Sequence, residues 1–260
     1  MTEIGEMVAV ALSAQHTKES CYFCREKEHG DQNYLIAEEE EDGGANPEAS
    51  NYQKNRSGML AQNIGAAPEH RLTVEGETGD LRPGAHHLIP GNAALKPSAV
   101  RPHLGTQTGT DVKNVGYNVN SRANGVWLPG NYAVRPWSTR LPRFQRRYAY
   151  AAMLAMDAQF HDAHTRYSET VRMALNACAA KVEFFAKIAC PECRRGGGEQ
   201  DPPYAIVARL NAISGYLDGK VTGDPAAWRV DNLFTSTHVV GYHKVVKRVG
   251  KPRVRKMLGQ

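Results

Sequence analysis

The chain has 260 residues, 41% of them apolar and 23% charged, with a formal net charge of +5. That length and balance are ordinary for a globular protein with one sizeable core, or one core plus a small stapled subdomain. No apolar stretch approaches the roughly 20 residues that a membrane-spanning helix needs, so no membrane span is expected.

Residues 1–80 form an N-terminal arm. Its opening, MTEIGEMVAVALSA, predicts a short helix; Glu3 and Glu6 stand where a secretory leader would be basic. No cleaved leader is therefore expected, and export would use another route. The arm continues into the pair Cys21-Tyr-Phe-Cys24 and then AEEEEDGGANPEASNYQKN, a charge run followed by Gly, Asn, Pro and Ser that reads as a solvated loop. Residues 81–200 form the central region. From 81 to 137, Pro, Gly and Asn surround the short apolar runs HHLI, VGYNV and GVWL, which predicts a β-hairpin-like stretch with long loops.

Pro142 opens a helical pattern, PRFQRRYAYAAMLAMDAQF, and HTRYSETVRMALNACAAKVEFFAKI predicts a second helix. On the second, Val171, Leu175, Cys178, Val182 and Phe185 step by 4, 3, 4 and 3, which is one face. Cys178 lies on that stripe and reads as a buried thiol without chemistry. His164, seven residues before Val171, shares the face. Residues 201–260 hold a further helix, YAIVARLNAISGYL, then a β-rich run, NLFTSTHVVGYHKVV, and a basic end.

The positive charge is local. Lys244, Lys247, Arg248, Lys251, Arg253, Arg255 and Lys256 fall in the last twenty residues, which contain no acid. Without those seven, 25 basic residues face 27 acidic ones. Such a patch suits a polyanion such as nucleic acid, and a solubilising tail is the equal alternative. A second basic stretch carries Arg135, Arg140, Arg143, Arg146 and Arg147 among Trp137, Phe144 and Tyr148. Guanidinium groups suit phosphates and rings can stack on bases, while a solvated helix face explains the pattern as well.

Four of the five cysteines form two C-x-x-C pairs, Cys21/Cys24 and Cys190/Cys193, each beside basic and Gly-containing sequence. Two such hairpins suit one tetrahedral structural zinc on four thiolates, which would clip the arm to the region after the long helix. The odd cysteine count argues against a secreted disulfide framework. A redox dithiol and two independent exposed pairs are the other readings.

His86 and His87, in GAHHLIPG, stand at the end of what reads as a short strand. Neighbours in an extended chain point to opposite faces, so one imidazole can meet a metal while the other does something else. Hydrolysis of a phosphodiester needs a base near neutral pKa, a cation to stabilise charge on the leaving oxygen, and a scaffold that fixes both. Histidine suits the first role and its neutral ring can ligate the cation. His161 and His164, in HDAHTRY, supply further imidazoles, and Asn124, in NGVWLP, is placed to brace a loop by backbone hydrogen bonds. For His16, His29, His70, His103, His238 and His243 a structural or surface role suffices.

GAHHLIPGNAAL, NGVWLP and HDAHTRYSETVRMAL, in that order, resemble the AHH nuclease family of the HNH/endonuclease VII superfamily, over about residues 81–178. The resemblance implies an α+β protein with a ββα-metal core wrapped by helices. It implies that His86 binds the metal, His87 is the general base, Asn124 is the central Asn, and His161 and His164 are the helix-borne histidines. Thr165 stands where the family usually has Pro, and a long insertion follows NGVWLP. Which of His161 and His164 touches the ion therefore stays open, with His164 preferred. Mg²⁺, Mn²⁺, Ni²⁺ and Zn²⁺ all suit such a site.

The function implied is a metal-dependent endonuclease that degrades DNA. It would be an antibacterial toxin of the type VI effector kind, made in a bacterial cytoplasm, injected with a carrier protein of the secretion apparatus and acting in the target cytoplasm. A cognate immunity protein would neutralise it. Arg143, Arg146, Arg147, Lys247 and Arg248 are the candidate nucleic-acid contacts. An RNase toxin on the same core, or a non-catalytic zinc-dependent nucleic-acid-binding module, are the alternatives; the latter leaves the His86–His87 pair unexplained.

Overall fold

The computed structural model describes residues 3–12, 23, 57–108, 111–130, 142–162, 165–187, 204–228 and 232–259. The expected zinc ligands Cys21, Cys24, Cys190 and Cys193 lie outside the described residues. So do His164, Arg135, Trp137 and Arg140. The chain divides into two units. One comprises Met1–Arg56, Ile89–Asn124 and Ser168–Gly215; the other comprises Ser57–Leu88, Gly125–Tyr167 and Tyr216–Gln260.

The helices are α1 (Glu3–Leu12), α2 (Ser57–Ile64), α3 (Pro142–Met156), α4 (Thr165–Lys187), α5 (Ile206–Val221), α6 (Thr237–Val249) and α7 (Lys251–Leu258). The strands are β1 (His70–Val74), β2 (Glu77–Leu81), β3 (Gly84–His87), β4 (Gly105–Thr108), β5 (Asp111–Asn114) and β6 (Gly125–Leu128). They form three two-stranded antiparallel pairs, β1–β2, β3–β6 and β4–β5. This mixed architecture of small antiparallel sheets and helices is compatible with an HNH-like nuclease.

In the first unit the predicted stripe on α4 is buried throughout: Val171, Leu175, Cys178, Val182 and Phe185 are at most 2% exposed. Cys178 is a buried thiol in no disulfide, as its place on the stripe predicts. Leu95, Val100, Val115, Tyr117 and Val119 are buried from the 89–124 segment, and Ile206, Leu210 and Ile213 from α5.

In the second unit the β1–β2 hairpin turns through Glu75 and Gly76, both at positive φ, the geometry a two-residue hairpin loop requires. Leu72, Val74 and Leu81 from this hairpin join Phe144, Tyr148, Ala152, Phe160, Trp228, Val239, Tyr242, Val246 and Val254 in one core. Helix α2 lies against β3 and β6. At Gly125 a Cβ would sit 2.7 Å from side-chain carbons of Leu60 and Ile64, so glycine permits this close approach.

The expected β-rich run 232–246 is instead loop and helix. Ser236 caps α6, its side chain accepting from the His238 N–H at 3.1 Å. Val239, Tyr242 and Val246 then recur on one buried face. A β-branched residue costs a helix only about 0.5 kcal/mol, which burial of a valine side chain outweighs. The basic end is thus not a free tail: α6 and α7 pack against α3.

Candidate active site

β3 carries both histidines of the pair, in register with β6: His86 lies opposite Val126 and His87 opposite Gly125. Strand alternation separates their environments. His86 is buried at 4% exposure, and His87 is only partly buried. The His86 ring lies edge-on to that of His161, centres 4.6 Å apart. Tyr167, fully buried in the first turns of α4, flanks His86 at 5.5 Å. Its hydroxyl donates to the Leu88 carbonyl at 2.7 Å, and burial, seconded by the charge of Asp218, pushes its pKa far above the phenol range. Tyr167 therefore remains a neutral donor that ties α4 to the end of β3.

His161 sits in an irregular segment between α3 and α4. Its N–H donates to the Pro129 carbonyl at 2.7 Å, and it bridges Gly130 in parallel register. A Cβ on Gly130 would lie 3.0 Å from the His161 carbonyl oxygen, so the approach favours glycine.

Asn124 is fully buried. Its Oδ1 accepts from the Ile89 N–H at 2.7 Å and from the Ser214 hydroxyl at 3.0 Å. Its Nδ2 donates to the carbonyls of Ile89 (3.1 Å) and Val119 (2.8 Å). Both donors and both lone pairs are engaged within the chain, so its amide braces the backbone two residues after His87.

The donor chemistry fits a divalent ion in kind: His86, of the Ala85-His86-His87 tripeptide, meets a second imidazole, His161, edge-on. Among the described residues no group of three or more His, Cys, Asp or Glu is arranged to hold one. His164, the preferred further ligand, lies outside those residues. The same holds for the four-thiolate zinc expected on Cys21, Cys24, Cys190 and Cys193: all four positions fall outside the described residues.

Arg146 is exposed on α3, whereas Arg147 pairs with Glu75 at 3.1 Å; the Arg143 side chain lies outside the described ones. Phe144 and Tyr148, read as possible base-stacking rings, are 4% and 1% exposed and belong to the core. Their spacing on α3 puts them on its inward face, which corrects that reading. Lys247 and Arg248 are exposed in the last turn of α6. His243 Nδ1 lies 2.8 Å from the Pro225 carbonyl, and His103 lies 3.9 Å from Glu183. Sequence reasoning missed Tyr167, Ser214, Gly130 and Gln159. Tyr167 alone left a signal, an aromatic at the mouth of a helix just after HDAH.

Residues 68–183 match the model of AHH, a nuclease family of the HNH/ENDO VII superfamily with conserved AHH. Comparison with curated proteins and with solved structures finds no match.

Proposed function

We propose, from the premise that residues 68–183 belong to the AHH nuclease family, that the protein is a metal-dependent endonuclease acting on DNA. The observation that carries this reading is the pairing of buried His86 with His161 beside the part-exposed His87. His87, the more accessible ring, takes a proton from the water that attacks phosphorus. His86 and His161 present neutral imidazoles for the cation, with His164 as a further ligand. A divalent ion bound there would offset charge on the phosphate and on the departing O3′. Tyr167 and Asn124 hold the backbone just after the pair, at Leu88 and Ile89, so they brace it and do not react.

Further parts of the reading rest on sequence. Cys21, Cys24, Cys190 and Cys193 supply four thiolates for a structural zinc. The family resemblance supports an antibacterial effector, injected with a carrier and opposed by an immunity protein. Exposed Arg146, Lys247 and Arg248 supply phosphate contacts. No helix among the described residues is long and apolar enough to cross a membrane.

Incubating purified protein with supercoiled plasmid DNA and with structured RNA, across Mg²⁺, Mn²⁺, Ni²⁺ and Zn²⁺ and with chelator, tests the reading. Metal-dependent nicking of DNA is expected. Cleavage of RNA alone would transfer the mechanism to an RNase, and binding without cleavage would favour the non-catalytic module.

A further inference from the structure

His161 belongs to no helix and to none of the three strand pairs, so its place depends on what holds residues 158–162. Gln159, completely buried, is the hub. Its N–H donates to the Val221 carbonyl at 2.7 Å. Its Nε2 donates to the carbonyls of Lys220 (3.0 Å) and Leu233 (3.1 Å). Its Oε1 accepts from the Thr235 N–H at 3.0 Å, with the Thr235 hydroxyl at 3.3 Å. That hydroxyl makes its shorter contact, 2.8 Å, to the Phe160 carbonyl. The Thr235 carbonyl accepts from the Asp162 N–H at 3.1 Å, and the Ser236 hydroxyl donates to Asp162 Oδ2 at 2.8 Å. Residues on both sides of His161 are thus fastened to Lys220–Thr222 and Leu233–Ser236, and all of these partners lie beyond the matched segment 68–183.

We propose that Gln159 and Thr235 are positioning residues that hold His161 against His86, so that the C-terminal segment completes the site. This rests on the nuclease reading for its consequence, though not for its geometry. A buried amide with every donor and acceptor engaged fixes a backbone that has no regular structure of its own. A ligand or catalytic group displaced by 1 Å can cost about 10²-fold in rate.

Thr235→Val removes the hydroxyl and keeps the shape. On plasmid DNA it should lower kcat about tenfold and leave KM within about twofold, because positioning acts on the reacting geometry. Thr235→Ser should recover most of the loss. Val239→Ala, in the core of the same unit, should lower the melting temperature without that drop in kcat. The ring signals of His161 in ¹H–¹³C NMR give a readout independent of cleavage: they should shift or broaden in Thr235→Val and not in Val239→Ala. If Thr235→Val does not fold, Ser236→Ala, which removes the Asp162 contact together with the α6 N-cap, carries the same test against Val239→Ala, the control for lost stability. Unchanged kcat and unchanged His161 signals in these variants would overturn the clamp, as would an equal kcat loss in Val239→Ala. A wild-type protein that cleaves neither DNA nor RNA, with His161 signals still displaced by Thr235→Val, would reject the nuclease reading and leave the clamp standing.

Discussion

The His86 ring meets the His161 ring edge-on at 4.6 Å, while His87, one residue further along the same strand, keeps part of its surface open. The two histidines should therefore fail differently. His87→Ala should fold like the wild type and lose about 10²-fold or more in cleavage rate, the scale of a lost general base. His86→Ala should weaken metal binding, with partial rescue at high metal, and should also lower the melting temperature because it empties a buried site. Initial rates on plasmid DNA across a metal titration separate the two. Wild-type rates in His87→Ala would remove it from the mechanism.

Asn124 joins Ile89, Val119 and Ser214 through four hydrogen bonds in a fully buried place. Asn124→Ala leaves the Ile89 N–H and two carbonyls without that partner, at about 1–3 kcal/mol for each buried group that finds no substitute. Asn124→Asp keeps the shape but loses both donors. Urea unfolding should show both variants destabilised by a few kcal/mol, with Asn124→Ala close to the limit of a marginally stable domain. A midpoint within error of wild type for either one would show that the brace is dispensable.

Much of this was legible in the sequence because it repeats with a period. The α4 stripe from Val171 to Phe185 was read at helical spacing and is buried as read. The histidine strand announced itself through adjacent imidazoles between turn residues. Helix α6 was hidden by its β-branched composition, since Val239, Val240, Val245 and Val246 favour strands locally while the packing of Val239, Tyr242 and Val246 decides otherwise. The β1–β2 hairpin was unread because its turn is Glu75-Gly76, with Glu in place of the Asn or Asp that usually signals this loop. Gln159 gave no sign at all: its side-chain partners lie 61 to 76 residues downstream, beyond any local pattern.

His103 gives the fold a defined acid response. Burial lowers its pKa, and the nearby Glu183 carboxylate raises it in part. The folded state therefore holds the proton less tightly than the unfolded chain does. Well above pH 6.5 both states are neutral and the contribution is intact. As the pH falls through that value the unfolded chain takes up a proton first, and stability is lost until folded His103 also titrates. The urea midpoint should fall between pH 7.5 and 5.5, and fall less in His103→Gln. Glu183→Gln removes the offsetting charge and should steepen the wild-type loss. Parallel pH profiles for all three proteins would assign the acid response to other groups.

The cations of α6 call for substitution and not truncation. Val239, Tyr242, Val246 and Val254 are core residues, so deleting the end of the chain would unfold the unit and confuse binding with stability. Lys251 is already held by Asp157 at 2.7 Å and stands 3.7 Å from Asp224. Lys247 and Arg248, both exposed, are the better probes. Each phosphate that a cation neutralises on duplex DNA adds about 0.9 to the slope of log K against log salt. Lys247→Ala with Arg248→Ala should flatten that slope by up to about 1.8 if both engage the duplex. The weakening should be equal on unrelated sequences, since phosphate contacts carry no base information. The rate at saturating DNA should change far less than the affinity, because neither side chain belongs to the histidine site. Fluorescence anisotropy on two duplexes of different sequence, across a salt series, measures both effects. A double variant with the wild-type slope would show that this helix face meets water or a protein and not the nucleic acid.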